Sequence, residues 1–178
     1  MDEKKKSVSS NAVMYGALVA GVGIVYSLIL YILDLSMNKW LGNVSFLFYI
    51  GGMIWGTLQY RKNSLGDYMS YSQAVSCAFQ IGFYTAIMLA VYTFIFFNFI
   101  DPGMIDKILA TTREQIVAKN PQLSEDQVDK AVAISRYFTN SYVLPIMSLF
   151  MSAIFSIILA LIIAIFIKKE DASLQKTI

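Results

Sequence analysis

The chain has 178 residues, of which 57% are hydrophobic and 15% charged, with a net charge of +2. Soluble domains carry about 25% charged residues, so the composition excludes an ordinary water-soluble globule, and the small net charge excludes the concentrated basic face that nucleic acid requires. Cys77 is the single cysteine and there is no histidine, which rules out an intrachain disulfide or CxxC site and removes the commonest metal ligand, general base and pH sensor together.

The first ten residues are polar and carry Lys4, Lys5 and Lys6. An apolar run follows, from about Asn11 to Leu33, close to the ~20 residues a spanning helix needs. It is longer than the ~7–15-residue core of a signal peptide and ends without a small-x-small site, so it is read as a retained first span. Asp34 to Trp40 forms a polar turn. A second span runs from about Leu41 to Tyr60, where Arg61 and Lys62 stop it. Gly66 allows a tight connection by tolerating positive φ, and Ser70 with Gln73 forms a capping box opening the third span. That span, about residues 72–100, carries no charge and is long for a hydrocarbon core of about 30 Å.

Residues 101 to 140 are the one long polar interruption. Asp101-Pro102 reads as N-cap and first helical residue. Met104, Ile105, Ile108, Leu109, Thr112 and Ile116 mark an apolar face. Asn120-Pro121 ends that helix, and Ser124-Glu-Asp-Gln127 is a second capping box. Val128, Ala131, Val132, Ser135 and Phe138 then follow amphipathic helical spacing. The segment, about residues 102–140, is predicted to be an extramembrane two-helix hairpin. A fourth span, about residues 141–167, has Pro145 in its first turn, where the missing N–H matters least, and closes on Lys168 and Lys169. The fold class expected is all-α: a single membrane domain of four transmembrane helices, with the hairpin between the third and fourth.

Four spans place both termini on one side. Lys4, Lys5, Lys6, Arg61, Lys62, Lys168, Lys169 and Lys176 belong to that side, against Lys39 and the basic residues of the hairpin. The triplet and both dibasic pairs abut helix ends, where the positive-inside rule acts. Cytoplasmic termini and an external hairpin are therefore expected.

Small residues recur at four-residue spacing: Ala74, Ala78, Gly82, Ala86 and Ala90 on the third span, and Ser148, Ser152, Ser156, Ala160 and Ala164 on the fourth. Gly16-Ala20 and Gly52-Gly56 are shorter versions. Such stripes let backbones approach closely and hydroxyls bond across the interface. The helix-packing residues expected are Gly52, Gly56, Ala78, Gly82, Ser148, Ser152 and Ser156, while Ile87 and Ile163 are expected to lie away from the contacts.

No Asp, Glu, Lys or Arg falls inside a span, although ion-coupled transporters and proton relays usually need one there. Ser76, Gln80 and Tyr84 form a polar row on the third span, read first as interhelical hydrogen bonding and second as a polar path. Arg61 and Asp67, six residues apart, are expected either to pair across the glycine turn or to leave Arg61 as a simple interfacial anchor. Glu125, Asp126 and Asp129 read as acids favoured at a helix start rather than metal ligands. Nothing has the form of a nucleophile–base pair, a phosphate loop or a paired carboxylate site, so no enzyme, cofactor or metal is expected.

The glycine-bearing first span, Tyr60-Arg61 closing the second, Gly66 with Ser70-Tyr71-Ser72-Gln73-Ala74 leading into the third, and Asn98-Phe-Ile-Asp-Pro102 at its exit carry a resemblance. From about Gly16 to Ile167 the chain resembles a bacterial membrane-protein family catalogued only as domain of unknown function 4199. That resemblance implies a four-span integral membrane protein with a polar insert before its last span, and no assigned activity. The expected function is a non-enzymatic inner-membrane accessory or scaffold subunit using the hairpin for recognition. The alternative is a small transporter or channel subunit with a path beside Gln80. Partners expected are membrane lipids and another membrane or periplasmic protein, with a homo-oligomer left open.

Overall fold

The structure, a computed structural model, describes residues 7–169; Lys4, Lys5, Lys6 and Lys176, used above for orientation, lie outside them. Within these residues the regular elements are helical: α1 Val8–Ile32, α2 Lys39–Ser64, α3 Tyr71–Ile95 continued by a π-helical turn Phe96–Ile100, α4 Met104–Lys119, α5 Glu125–Phe138 and α6 Val143–Ile167. Four stretches are long and apolar enough to cross a membrane, namely Val8–Ile32, Trp40–Ser64, Tyr71–Ile100 and Val143–Ile167. Leu18, Val25 and Ile29 on α1, and Phe150, Ile154, Ile158 and Phe166 on α6, are exposed. Contiguous apolar surface on this scale is foreign to a soluble monomer and normal for helices in lipid.

The helix ends follow local chemistry. Ser7 caps α1 by accepting from Ser10 N–H, and Asn38 caps α2 by accepting from Trp40 and Leu41 N–H. The Ser70–Gln73 box forms in both directions, at 2.9 and 3.3 Å. So does the Ser124–Gln127 box, at 3.0 and 3.4 Å. Two boundaries differ from the sequence reading. α2 continues past Arg61 and Lys62 to Ser64, because the Arg61 carbonyl still accepts from Leu65 N–H. α4 begins at Met104 rather than Pro102: the Asp101 carbonyl accepts from Met104 N–H in a turn, and its carboxylate faces Lys107 at 3.4 Å.

The chain divides into two compact units. One comprises the chain up to Leu89 together with the part from Phe150 onward; the other is Ala90–Leu149. In the first, Ala12 and Tyr15 of α1, Met53 and Tyr60 of α2, Ala74, Cys77, Ala78 and Ile81 of α3, and Ala160, Ile163 and Ala164 of α6 share one buried cluster. Ile163 therefore belongs to the core and not to an outlying face. In the second unit α4 packs against α5, burying Met104, Leu109 and Val128, while the Phe94 and Tyr142 rings meet at a tilt, 5.8 Å between centres.

Candidate functional site

The small residues of the first unit meet at defined points. A Cβ on Gly52 would fall 2.1 Å from Val19 Cγ2; one on Gly56 would lie 2.9 Å from Tyr15 Cβ. One on Gly16 would lie 2.9 Å from Tyr84 Cβ and 3.2 Å from the Ile81 carbonyl oxygen. These three glycines allow α1 to close on α2 and α3. Gly82 is the point where α2, α3 and α6 converge: an added Cβ would meet Ser156 Oγ at 2.7 Å and the Tyr49 hydroxyl at 2.9 Å. The Tyr49 hydroxyl lies 3.0 Å from the Gly82 carbonyl and 2.5 Å from Ser156 Oγ, with either hydroxyl able to donate to the other, and Ser156 Oγ lies 2.6 Å from the Ser152 carbonyl. Two hydroxyl protons thus serve three contacts. Ala78 and Ser156 are buried and Ser152 is half-buried, but Ser148 is exposed and donates to the Pro145 carbonyl at 2.8 Å. Each four-residue step advances about 40° round a helix, so the stripe on α6 turns out of the contact by Ser148.

Other buried polar groups are satisfied within the same core. Thr85 donates to the Ile81 carbonyl at 2.9 Å and approaches the Gly16 carbonyl at 3.2 Å. Asn11 Nδ2 donates to the Gly56 carbonyl at 3.3 Å and toward Cys77 Sγ at 3.9 Å. No buried side-chain nitrogen or oxygen among the described residues lacks a partner. The Ser76–Gln80–Tyr84 row makes its contacts with neighbouring residues of α1 and α3. Gln80 Nε2 donates to Ser76 Oγ at 3.1 Å, and Gln80 Oε1 accepts from Ser9 Oγ at 3.0 Å. Ser9 lies in the first turn of α1, so Gln80 is level with that helix end. Tyr84 has its Cβ against Gly16 and its ring edge-on to Phe83.

Arg61 and Asp67 come together where the end of α2, the turn before α3 and the end of α6 meet. Arg61 Nε donates to Asp67 Oδ1 at 3.1 Å, and Nη1 donates to the Ile167 carbonyl in the last turn of α6 at 2.6 Å. Only 15% of the Arg61 side chain is exposed. Lys169 Nζ donates to Asp67 Oδ2 and lies 5.5 Å from the centre of the Tyr68 ring, within cation–π range. Met69 and Lys169 exchange backbone hydrogen bonds at 2.8 and 2.9 Å as an antiparallel bridge. Gly66 at φ 64° and Asp67 at φ 67° turn the chain so that this is possible. Chiefly the Lys169 hydrogen bond, with the charges of Lys169 and Arg61 adding to it, holds the Asp67 carboxyl below the usual carboxylate range. The sequence had no signal for Ile167 or Lys169 as partners, since they stand more than a hundred residues away.

The second unit contains an open cleft of about 760 Å3 between α4 and α5. Leu109, Ala110, Val132, Ala133 and the exposed Tyr137 line it. Ion pairs cross it at both ends: Arg113 to Asp129, and Arg136 to Asp106 at 3.7 Å. Asp126 pairs with Lys130 at 2.7 Å, so Asp126 and Asp129 are each turned toward a cation. Among the described residues no group of three or more acidic or sulfur side chains converges on a common point.

Four helices long and apolar enough to cross a membrane, joined by glycine-mediated contacts and with their buried polar groups satisfied internally, give the described residues the character of an all-α membrane protein. The chain belongs to the family described as "Protein of unknown function (DUF4199)", whose model matches residues 14–169. No curated protein and no solved structure matches it.

Proposed function

We propose that the chain is a non-enzymatic, multi-pass protein of a bacterial inner membrane, an accessory or scaffold subunit with cytoplasmic termini, whose α4–α5 hairpin stands outside the membrane as a recognition surface. The cleft between α4 and α5 carries this reading. It places opposed charges beside apolar lining residues on the one part of the chain rich in charged residues, and both helices have charged faces that would be costly in lipid. The Arg61–Asp67–Lys169 group is a structural clasp in this reading, holding α2, the turn before α3 and the end of α6 together. Gln80, engaged by Ser9 and Ser76 at a helix end, supports interhelical bonding over a transport path. The test is a photo-crosslinking side chain placed at Tyr137, 77% exposed, beside one at Phe166 on α6. Protein adducts at Tyr137 with lipid adducts at Phe166 are expected; lipid adducts alone at both would overturn the recognition surface.

A further inference from the structure

The charges round the hairpin cleft are arranged as a checkerboard. α4 carries Asp106 at one end and Arg113 at the other, and α5 places Arg136 opposite Asp106 and Asp129 opposite Arg113. Going round the cleft, the sign alternates at every corner. A surface of this kind is complementary to itself. A copy turned by a two-fold rotation about an axis along the helices sets Asp106 against Arg136 and Arg113 against Asp129. An axis across the helices sets Asp106 against Arg113 and Arg136 against Asp129. A peptide or patch of one sign would instead meet two repelling corners.

We propose that the occupant of the α4–α5 cleft is the same cleft of a second copy of this chain, in an isologous pair. The inference rests on the hairpin being a recognition surface and names its partner. In a two-fold interface each contact is made twice, so a single well-placed anchor counts double. Tyr137 is such an anchor: it lines the cleft, is exposed, and shares that lining with the small residues Ala110 and Ala133, which take up little of its space. Aromatic side chains entering small-residue hollows dominate interface energetics, while the charged corners fix register and exclude wrong partners more than they add affinity. Tethering both copies to one membrane raises their effective concentration, which suits an interface too small to hold free monomers together.

The experiment co-expresses two differently tagged full-length copies carrying Cys77→Ala and Ala133→Cys, and treats membranes with a short bis-maleimide. Cross-tag adducts are expected between parental copies. A form with Arg113→Asp and Asp129→Arg keeps its internal ion pair but exchanges the signs at one end. Against a parental copy it meets like charges at two corners under either rotation, so cross-tag adducts should fall by about tenfold or more, given the several kcal/mol that like-charge contacts cost across an interface. The exchange at the other end, Asp106→Arg with Arg136→Asp, should do the same and guards against one form failing to fold. Adducts as abundant between parental and exchanged copies as between parental copies would overturn the proposal. So would their absence between parental copies. If they are absent while the Tyr137 crosslinker captures a different protein, the second copy is overturned and the recognition surface stands; lipid adducts alone at Tyr137 overturn both.

Discussion

Arg61 and Asp67 hold each other twice: the Asp67 N–H donates to the Arg61 carbonyl at 3.0 Å, and Arg61 Nε donates back to the Asp67 carboxylate at 3.1 Å. The remaining arm of the guanidinium reaches the Ile167 carbonyl at 2.6 Å. One side chain therefore serves the end of α2, the turn before α3 and the end of α6. The planar fork of arginine makes this possible, since its donors leave in fixed and divergent directions.

Arg61→Ala should destabilise the protein by about 2–3 kcal/mol, the range for losing charged hydrogen bonds from a largely buried site. Arg61→Lys keeps the charge but brings a compact ammonium to only one of the two acceptors, and should recover less than half of the loss. Thermal unfolding in detergent, with folded yield from the membrane as a second readout, checks this. Full recovery by lysine would reduce Arg61 to an interfacial anchor.

Acid should loosen the same clasp. The folded-state pKa of Asp67 is lowered, so its contribution is fully present above the unfolded value of about 3.9 and is lost as pH falls through the lower folded value. Asp67→Asn keeps a residue tolerant of positive φ and removes the charge. The difference in thermal midpoint between the parent and this variant should hold steady from pH 7 to about 5 and narrow below about 3.9. A difference that disappears near neutral pH would place the titration elsewhere.

Gly82→Ala tests the meeting of α2, α3 and α6. The new methyl would press on Ser156 and on the Tyr49 hydroxyl, and overpacking of this kind costs about 1–3 kcal/mol. Gly51→Ala, where an added Cβ meets nothing within 4 Å, should instead be neutral or gain up to about 1 kcal/mol from helix propensity. Equal midpoints for the two variants would remove the close contact as an explanation for the glycine.

Tyr49→Phe and Ser156→Ala should each cost about 1 kcal/mol. Because the two hydroxyls share a bond, the double variant should cost less than the sum, with a coupling of about 0.5 kcal/mol or more. Strict additivity would mean the hydroxyls act independently.

The spans, both capping boxes and the amphipathic faces of α4 and α5 were legible because each is written in consecutive residues. So were Gly52, Gly56 and Gly82 as contact points, since small residues at four-residue spacing have one strong use between apolar helices. Tyr49, which fills the space beside Gly82, was not legible: an aromatic residue within an apolar run looks the same facing lipid or facing a neighbour. Ile163 and Ser148 exchange roles with their expected ones for a related reason, as sequence spacing does not fix the angle at which a helix meets its neighbours. The π-helical turn at Phe96–Ile100 carries no composition signal. Ile167 and Lys169 could not be joined to Arg61 and Asp67 by any local pattern, because long-range contacts depend on how the helices pack.

The central claim is a four-span protein with the hairpin on the far side of the membrane from the α2–α3 turn. Lys119→Cys and Asn63→Cys, each in a Cys77→Ala background, are exposed to an impermeant maleimide in intact cells whose outer membrane has been made permeable. The account predicts labelling at position 119 and none at position 63 until the inner membrane is broken. Labelling at 63 without labelling at 119 would invert the orientation, and labelling of both in intact cells would contradict the four-span arrangement.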